Sequence, residues 1–270
     1  MSTTSTHIDR KALKQQDEFF KSTKSIFDHL AENSKAVGIA GAGLLVLAGA
    51  WMAYSAVQES KEGKARDALY VARQSIEKEL QVIADREKPT QPPATKGKDG
   101  KEVKSEPVKA TLEDVAYKKL DVAATFPESQ KKLTEVFEKH SGTRAAFEAR
   151  LAMGDLFYDH GQAENAIAHY EAASKIAPKA FEKAMAFYAL AYANENAGKY
   201  GDAAAAFDRA LSLGETSLRA ELLTGLGRVH GLNKNVAEAN KALDKVISEF
   251  PTSDHAKAAE LLKSQFGSGK

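Results

Sequence analysis

The chain of 270 residues has no cysteine, one tryptophan and seven prolines, four of which crowd between Pro89 and Lys109. The first absence removes disulfides, thiolate nucleophiles and every Cys-based zinc or iron–sulfur site. It leaves the compartment open, because a Cys-free chain is stable in either redox environment. An excess of charge of one sign is also missing. The 38 Lys and Arg balance 37 Asp and Glu to a net +1, which argues against the clustered basic footprint of a nucleic-acid binder. No useful stretch alternates apolar and polar residues with the period of a strand. No Gly-rich phosphate loop, His-Glu-x2-His, Gly-x-Ser-x-Gly or carboxylate–Gly calcium loop occurs. The seven histidines are scattered, with His160 and His169 on different predicted helices and His230 in a core position, so converging metal ligands are not expected. These absences point to an all-α binding protein with no cofactor, no metal and no catalytic constellation.

What is present begins with AVGIAGAGLLVLAGAWMAYSAV, residues 36 to 57, without a charged side chain. At about 1.5 Å rise per residue a helix of this length spans roughly the hydrocarbon thickness of a bilayer. Lys35 and Glu59 flank it, and Trp51 and Tyr54 suit an interface. A soluble surface helix would show a polar stripe, and this run has none. Ala48-Gly49-Ala50 has the small-x-small form of a signal cleavage site, yet the apolar run continues through Val57 and a long charged arm precedes it. An uncleaved anchor is the reading we carry forward. Local Lys and Arg counts on the two sides tie, and Arg10, Lys11 and Lys14 in the arm favour a cytoplasmic N-terminus.

The expected layout is an N-terminal arm over 1–35, a transmembrane helix over 36–57, an amphipathic helix over 58–88, a flexible Pro/Lys-rich loop over 89–110 and a helical domain over 111–270. Ala65, Leu69, Ala72, Ile76, Leu80 and Ile83 mark the apolar face of the amphipathic helix at spacings of three and four. From Thr111 through Phe126 the pattern again reads as helix. Ser129, Thr143 and Ser253 are the expected N-caps of the helices that follow them, with Phe126-Pro127 and Phe250-Pro251 as equivalent junctions.

An internal repeat is visible. Arg150, Met153, Gly154, Phe157, Ala166, Tyr170, Ala173 and Pro178 are followed 37 residues later by Phe187, Leu190, Ala191, Asn194, Ala203, Phe207 and Ala210. After a further 36 come Leu223, Leu226, Gly227, His230, Ala239, Leu243, Val246 and Pro251. The spacing resembles the tetratricopeptide repeat, W-x2-L-G-x2-Y, then A-x3-F-x2-A, then P, with Asn194 and His230 departing at the aromatic position. Gly154, Ala191 and Gly227 are small where the two helices of a hairpin cross, Gly161 and Gly198 supply the turn, and Pro178 and Pro251 end helices. Ala256, Ala259, Leu262 and Phe266 form the face of a terminal capping helix, as solenoids require.

In tetratricopeptide proteins the first helix of each hairpin lines a concave groove. The resemblance therefore nominates Glu148, Leu151, Asp155, Tyr158, Met185, Tyr188, Tyr192, Glu195, Thr224 and Arg228 as peptide contacts. Rigid tyrosines give contact area at low entropic cost. A Lys/Asn/Arg clamp for C-terminal carboxylates is not evident. The whole layout further resembles the YfgM-like family of ancillary subunits of the bacterial Sec translocon, the 89–110 insertion being a departure from it. That resemblance implies a periplasmic helical domain that contacts the SecYEG translocon, a membrane-anchored prolyl isomerase and exported client proteins. The alternative expectation is a scaffold that tethers one fixed partner in cell-envelope assembly or division.

Overall fold

The computed structural model describes Lys24 and residues 34–87, 95–96, 102–103 and 111–267. The N-terminal arm, most of the 89–110 insertion and the last three residues lie outside them. The chain divides into two compact units, Met1–Ser60 and Lys61–Lys270. Helix α1, Ser34–Arg86, is shared by both and has no break at the expected boundary near residue 57. Among the described residues of the first unit its apolar side chains are open: Leu44, Leu45, Val46, Leu47, Trp51 and Met52 are all at least 67 % exposed. By length and composition α1 can cross a membrane, and exposure of this kind is not that of a soluble core helix.

The second unit is built of antiparallel helices. After α1 come the two-residue strands β1 (Thr95–Lys96) and β2 (Glu102–Val103), paired antiparallel inside the insertion. Two short helices follow, α2 (Leu112–Ala116) and α3 (Val122–Thr125), and then α4 (Pro127–Lys139). Three hairpins come next: α5 (Arg144–Asp159) with α6 (Ala163–Ile176), α7 (Ala180–Asn196) with α8 (Tyr200–Ser212), and α9 (Arg219–Leu232) with α10 (Val236–Glu249). Helix α11 (Asp254–Gly267) closes the series against α10 and α9.

The repeat positions do what their sizes suggest. A Cβ on Gly154 would overlap the ring of Tyr170, one on Gly227 would overlap Leu243, and Ala166, Ala203 and Ala239 are fully buried opposite them. The three hairpin turns share one bonding pattern. The amide of the residue after the turn donates back across five residues, as Gln162 to Phe157, Lys199 to Asn194 and Asn235 to His230, each at 2.8 Å. This closure needs a left-handed residue, which is Gly161 at φ 80°, Gly198 at φ 73° and, in the third hairpin, Lys234 at φ 62°. Ala256 and Ala259 of α11 are buried, and Phe266 seats against Gly231 where no side chain could be accommodated.

Three local expectations need correction. The helix expected from Thr111 onward is interrupted between Ala116 and Val122, because the Asp121 carboxylate accepts from the amides of Ala123 and Ala124 and starts a new turn. Ser129 does not cap α4. Pro127 occupies the first helical position, so Ser129 falls one turn inside, and the cap comes from another helix. Glu79 of α1 accepts from the amides of Glu128 and Ser129, at 3.0 and 3.1 Å, and from the Ser129 hydroxyl. The Phe126-Pro127 and Phe250-Pro251 junctions are therefore not equivalent, since in the second Ser253 does cap, accepting from Ala256. Thr143 caps α5 as expected, accepting from Ala146 at 3.1 Å.

The predicted apolar face of α1 is the buried one. Ala65 and Ala72 are fully buried and Leu69 nearly so, in one cluster with Val136, Phe137, Ala145 and Ala149, while Ile76, Leu80 and Ile83 pack at its margin. Helices α1 and α4 thus pack against each other at the start of the helical series.

Candidate functional site, a two-part groove

The stripe Glu148, Leu151, Ala152, Asp155 and Asp159 runs along α5 at the spacing of three and four that keeps residues on one helix face. It forms the floor of a cavity of about 480 Å³. One wall is Arg73, Ile76 and Leu80 of α1, the other is Phe181, Glu182 and Met185 of α7, and Ala116 and Tyr117 close the end beside α2. Four of the ten nominated residues, Glu148, Leu151, Asp155 and Met185, meet here. Apolar surface is left showing at the rim, with Tyr117 at 74 %, Phe181 at 42 % and Met185 at 40 % exposure.

The charges in the cavity are unevenly matched. Glu148 accepts from Arg73 at 3.1 Å and from Arg144 at 3.0 Å, and Arg144 also reaches Glu182 at 3.3 Å. Both guanidinium groups are thereby engaged. Asp155 accepts only the Tyr170 hydroxyl, at 2.7 Å, and Asp159 has no hydrogen bond or ion pair among the described residues. Enclosure by protein raises the Asp155 carboxyl above its usual range, against the opposing effects of the Tyr170 bond and Arg73. Asp159 is pushed up to about 6, first by burial and then by repulsion from Asp155 one turn earlier. Tyr170 is held neutral by its burial and by its acidic neighbours.

The remaining nominees lie further along the same helical face and are occupied with one another. Tyr192 donates to Glu221 at 2.5 Å, and Tyr188 approaches the same oxygen at 3.5 Å with its ring 4.8 Å from that of Tyr192. Arg228 makes a two-pronged pair with Glu195, at 2.6 and 2.8 Å, and its guanidinium lies 5.1 Å from the Tyr192 ring. These bonds raise the Arg228 pKa still further, whereas burial first raises that of Tyr192. Burial first raises the Tyr158 pKa, and the nearby Glu195 and Asp159 carboxylates add to it. Thr224 is buried and donates to the Ala220 carbonyl at 2.8 Å.

Sequence reasoning missed Arg73, Tyr117, Asp159, Phe181 and Glu182. Asp159 carried a readable signal, being four residues beyond Asp155 on the same face, and Glu182 is a charge within the Ala-rich AFEKAMAF run of α7. Arg73 and Tyr117 had none, since nothing local says that α1 and α2 fold back onto α5. Two of the histidines set aside earlier pack against aromatic rings. His160 is buried, bonded through Nδ1 to the Lys118 carbonyl at 2.6 Å and stacked on Phe126, and His169 stacks on Phe157.

The sequence pattern of the tetratricopeptide repeat matches residues 123–181 and 182–263, from α3 to most of α11 and just over half of the chain. The protein belongs to the tetratricopeptide repeat family. A repeat of this kind makes a protein–protein interaction module. Among solved structures, the nearly identical TPR-like repeats of a kinesin light chain candidate from Podosopora anserina are 16 % identical, with a TM-score of 0.44 over 53 % of this chain and 78 % of that one. A single-substitution variant of the same protein gives 0.45 over the same shares. No curated protein matches this tetratricopeptide protein.

Proposed function

We propose that this tetratricopeptide protein is a non-enzymatic, membrane-anchored polypeptide-binding module. In this reading residues 36–57 span the bacterial inner membrane with the N-terminus cytoplasmic, and the repeats face the periplasm. There they serve as an ancillary subunit of the SecYEG translocon or as a chaperone-like factor for exported chains, beside partners such as a membrane-anchored prolyl isomerase. The observation that carries the binding reading is the open cavity between α1, α5 and α7, an apolar-rimmed recess of the size that takes side chains and ligands, on the face where first helices of successive hairpins meet. The anchor reading is supported by the unburied, uncharged half of α1. Joining a binding face covalently to a membrane segment raises its effective concentration for membrane partners.

A photoreactive residue placed at Leu151 or Met185 of the full chain in native membranes tests this. Crosslinks to translocon subunits and to many newly exported chains are expected. A single stoichiometric partner would instead support the fixed-partner scaffold, and crosslinks only to cytoplasmic proteins would overturn the topology. A C-terminal reporter active only outside the cytoplasm checks the orientation independently.

A further inference from the structure

A polypeptide groove must discriminate among side chains, and the cavity chemistry narrows which one it takes. Four carboxylates line it, Glu148, Asp155, Asp159 and Glu182, against two guanidinium groups, Arg73 and Arg144. The guanidiniums are paired with Glu148 and Glu182, which leaves Asp155 and Asp159 without an ion pair among the described residues, Arg73 acting on Asp155 only at longer range. Asp155 is solvent-accessible at the cavity floor, so it can be reached. A second observation is independent of that pair. Glu182 is only 5 % exposed, and its Oε2 has no hydrogen-bond partner although its Oε1 meets Arg144. A buried acceptor left open in this way asks for a donor, and native proteins seldom tolerate one without reason. The cavity lining beside these carboxylates includes the apolar side chains of Ile76, Leu80, Leu151 and Met185. A long side chain with an apolar stem and a cationic head matches both features.

We propose that this cavity is a subsite for a lysine or arginine side chain of a bound polypeptide. The stem lies against Leu151 and Met185 and the charged head sits on Asp155 and Asp159 within reach of Glu182. The proposal rests on the reading of this face as a polypeptide-binding groove and adds the residue class it selects. Apolar residues flanking the basic one find Phe181 and Tyr117 at the rim. Arriving charge also relieves the repulsion within the aspartate pair, which is why selectivity is expected to fade as pH drops through about 6, where Asp159 takes a proton. The other ionisable groups around that pair are Arg73 from α1, Tyr158 and His160 at the end of α5, Tyr170 from α6 and Glu182 from α7.

The test uses the full chain in detergent micelles and fluorescently labelled peptides about a dozen residues long, identical except for one central Lys, Arg, Gln or Glu between leucines. At about pH 7.5 the Lys and Arg peptides are expected to bind roughly tenfold tighter than the Gln peptide, a difference typical of one charge-assisted contact. Asp159→Asn, checked for intact helix content, should abolish that preference, so that the Lys, Arg and Gln peptides bind the variant alike, with Asp155→Asn as the second variant. Equal affinity of the Lys and Gln peptides, lowered alike by Leu151→Ala, would overturn the basic subsite and leave the groove standing. No binding by any of the four peptides would bring down both. Preference for Lys that survives Asp159→Asn and Asp155→Asn together would also overturn the proposal.

Discussion

The two parts of the groove are made of the same kinds of residues and have opposite electrostatics. Around α7 and α9, Tyr188, Tyr192, Glu195, Glu221 and Arg228 satisfy each other: Arg228 pairs with Glu195, and Glu221 is the acceptor that both phenols approach. Around α5, Asp155 and Asp159 sit one turn apart on one helix with no ion pair among the described residues, and Glu182 keeps an open oxygen. The first arrangement stabilises the fold and leaves little to offer a ligand. The second holds its carboxylates in their charged form at an energetic penalty, as binding and catalytic sites commonly do. Aromatic content alone does not mark the open part, since two of the three nominated tyrosines belong to the closed one.

The strongest way to break the open part is to move its floor. In Gly154→Ala the new methyl would collide with the Tyr170 ring, which is 2 % exposed and holds Asp155. Overpacking and loss of that hydrogen bond outweigh the better helix propensity of alanine, for a net loss of about 3 kcal/mol. Urea unfolding of the full chain in detergent should show the midpoint fall with an unchanged slope. Next comes the closed part. Arg228→Ala strands Glu195, whose side chain is 13 % exposed, and should lower stability by about 2 kcal/mol, less than for a fully buried pair because Arg228 itself is 29 % exposed. Arg73→Ala in the open part removes an ion pair whose arginine is 54 % exposed and should lower it by less than about 0.5 kcal/mol. Equal losses from the two arginine variants would erase the contrast between the parts.

The aspartate pair gives that contrast a pH dependence. The Asp159 pKa is about 6 in the folded chain, above the roughly 3.9 of an unfolded one. The folded state therefore keeps a proton that the unfolded state has released between about pH 4 and 6, and stability declines as pH rises through that window. Below it the penalty is absent. Asp159→Asn should thus stabilise the protein by about 1 kcal/mol at pH 7.5, a figure reduced for partial solvent screening, and by nothing measurable at pH 4. An equal gain at both pH values would mean that shape rather than charge is responsible. Greater stability together with lost preference for basic peptides would identify Asp159 as a residue kept for binding.

Much of this molecule was legible because it rests on sizes and local spacing. Gly154, Ala166 and Tyr170 announce a close helix crossing, and Thr143 and Ser253 announce helix starts, from a few neighbouring residues. The errors share one cause. Whether Ser129 caps α4 depends on Glu79, 50 residues earlier, and whether Glu148 is free depends on Arg73, 75 residues earlier. Both partners lie on α1, beyond an insertion that removes any periodic relation to the repeats. The division of the groove was hidden for the same reason. Tyr192 and Glu195 look like open contacts until Glu221 and Arg228 are brought across from α9, 29 and 33 residues away.

A further small effect is predicted outside both parts, where the three hairpins can be compared turn by turn. The first two closures use glycine in the left-handed region and the third uses Lys234 at φ 62° with the same backbone hydrogen bonds. A side chain with a Cβ is disfavoured there by roughly 1 kcal/mol, while glycine loses more chain entropy on folding. Lys234→Gly should therefore stabilise the protein by about 0.5 kcal/mol, because relief of strain exceeds the entropy term at a position already left-handed. The matched substitution Gly198→Lys, whose side chain would point into open space, should lose a similar amount. Opposite signs of similar size in urea midpoints would show that the turns are energetically interchangeable. A loss from Lys234→Gly would mean that the third turn is held by its lysine side chain rather than by backbone geometry.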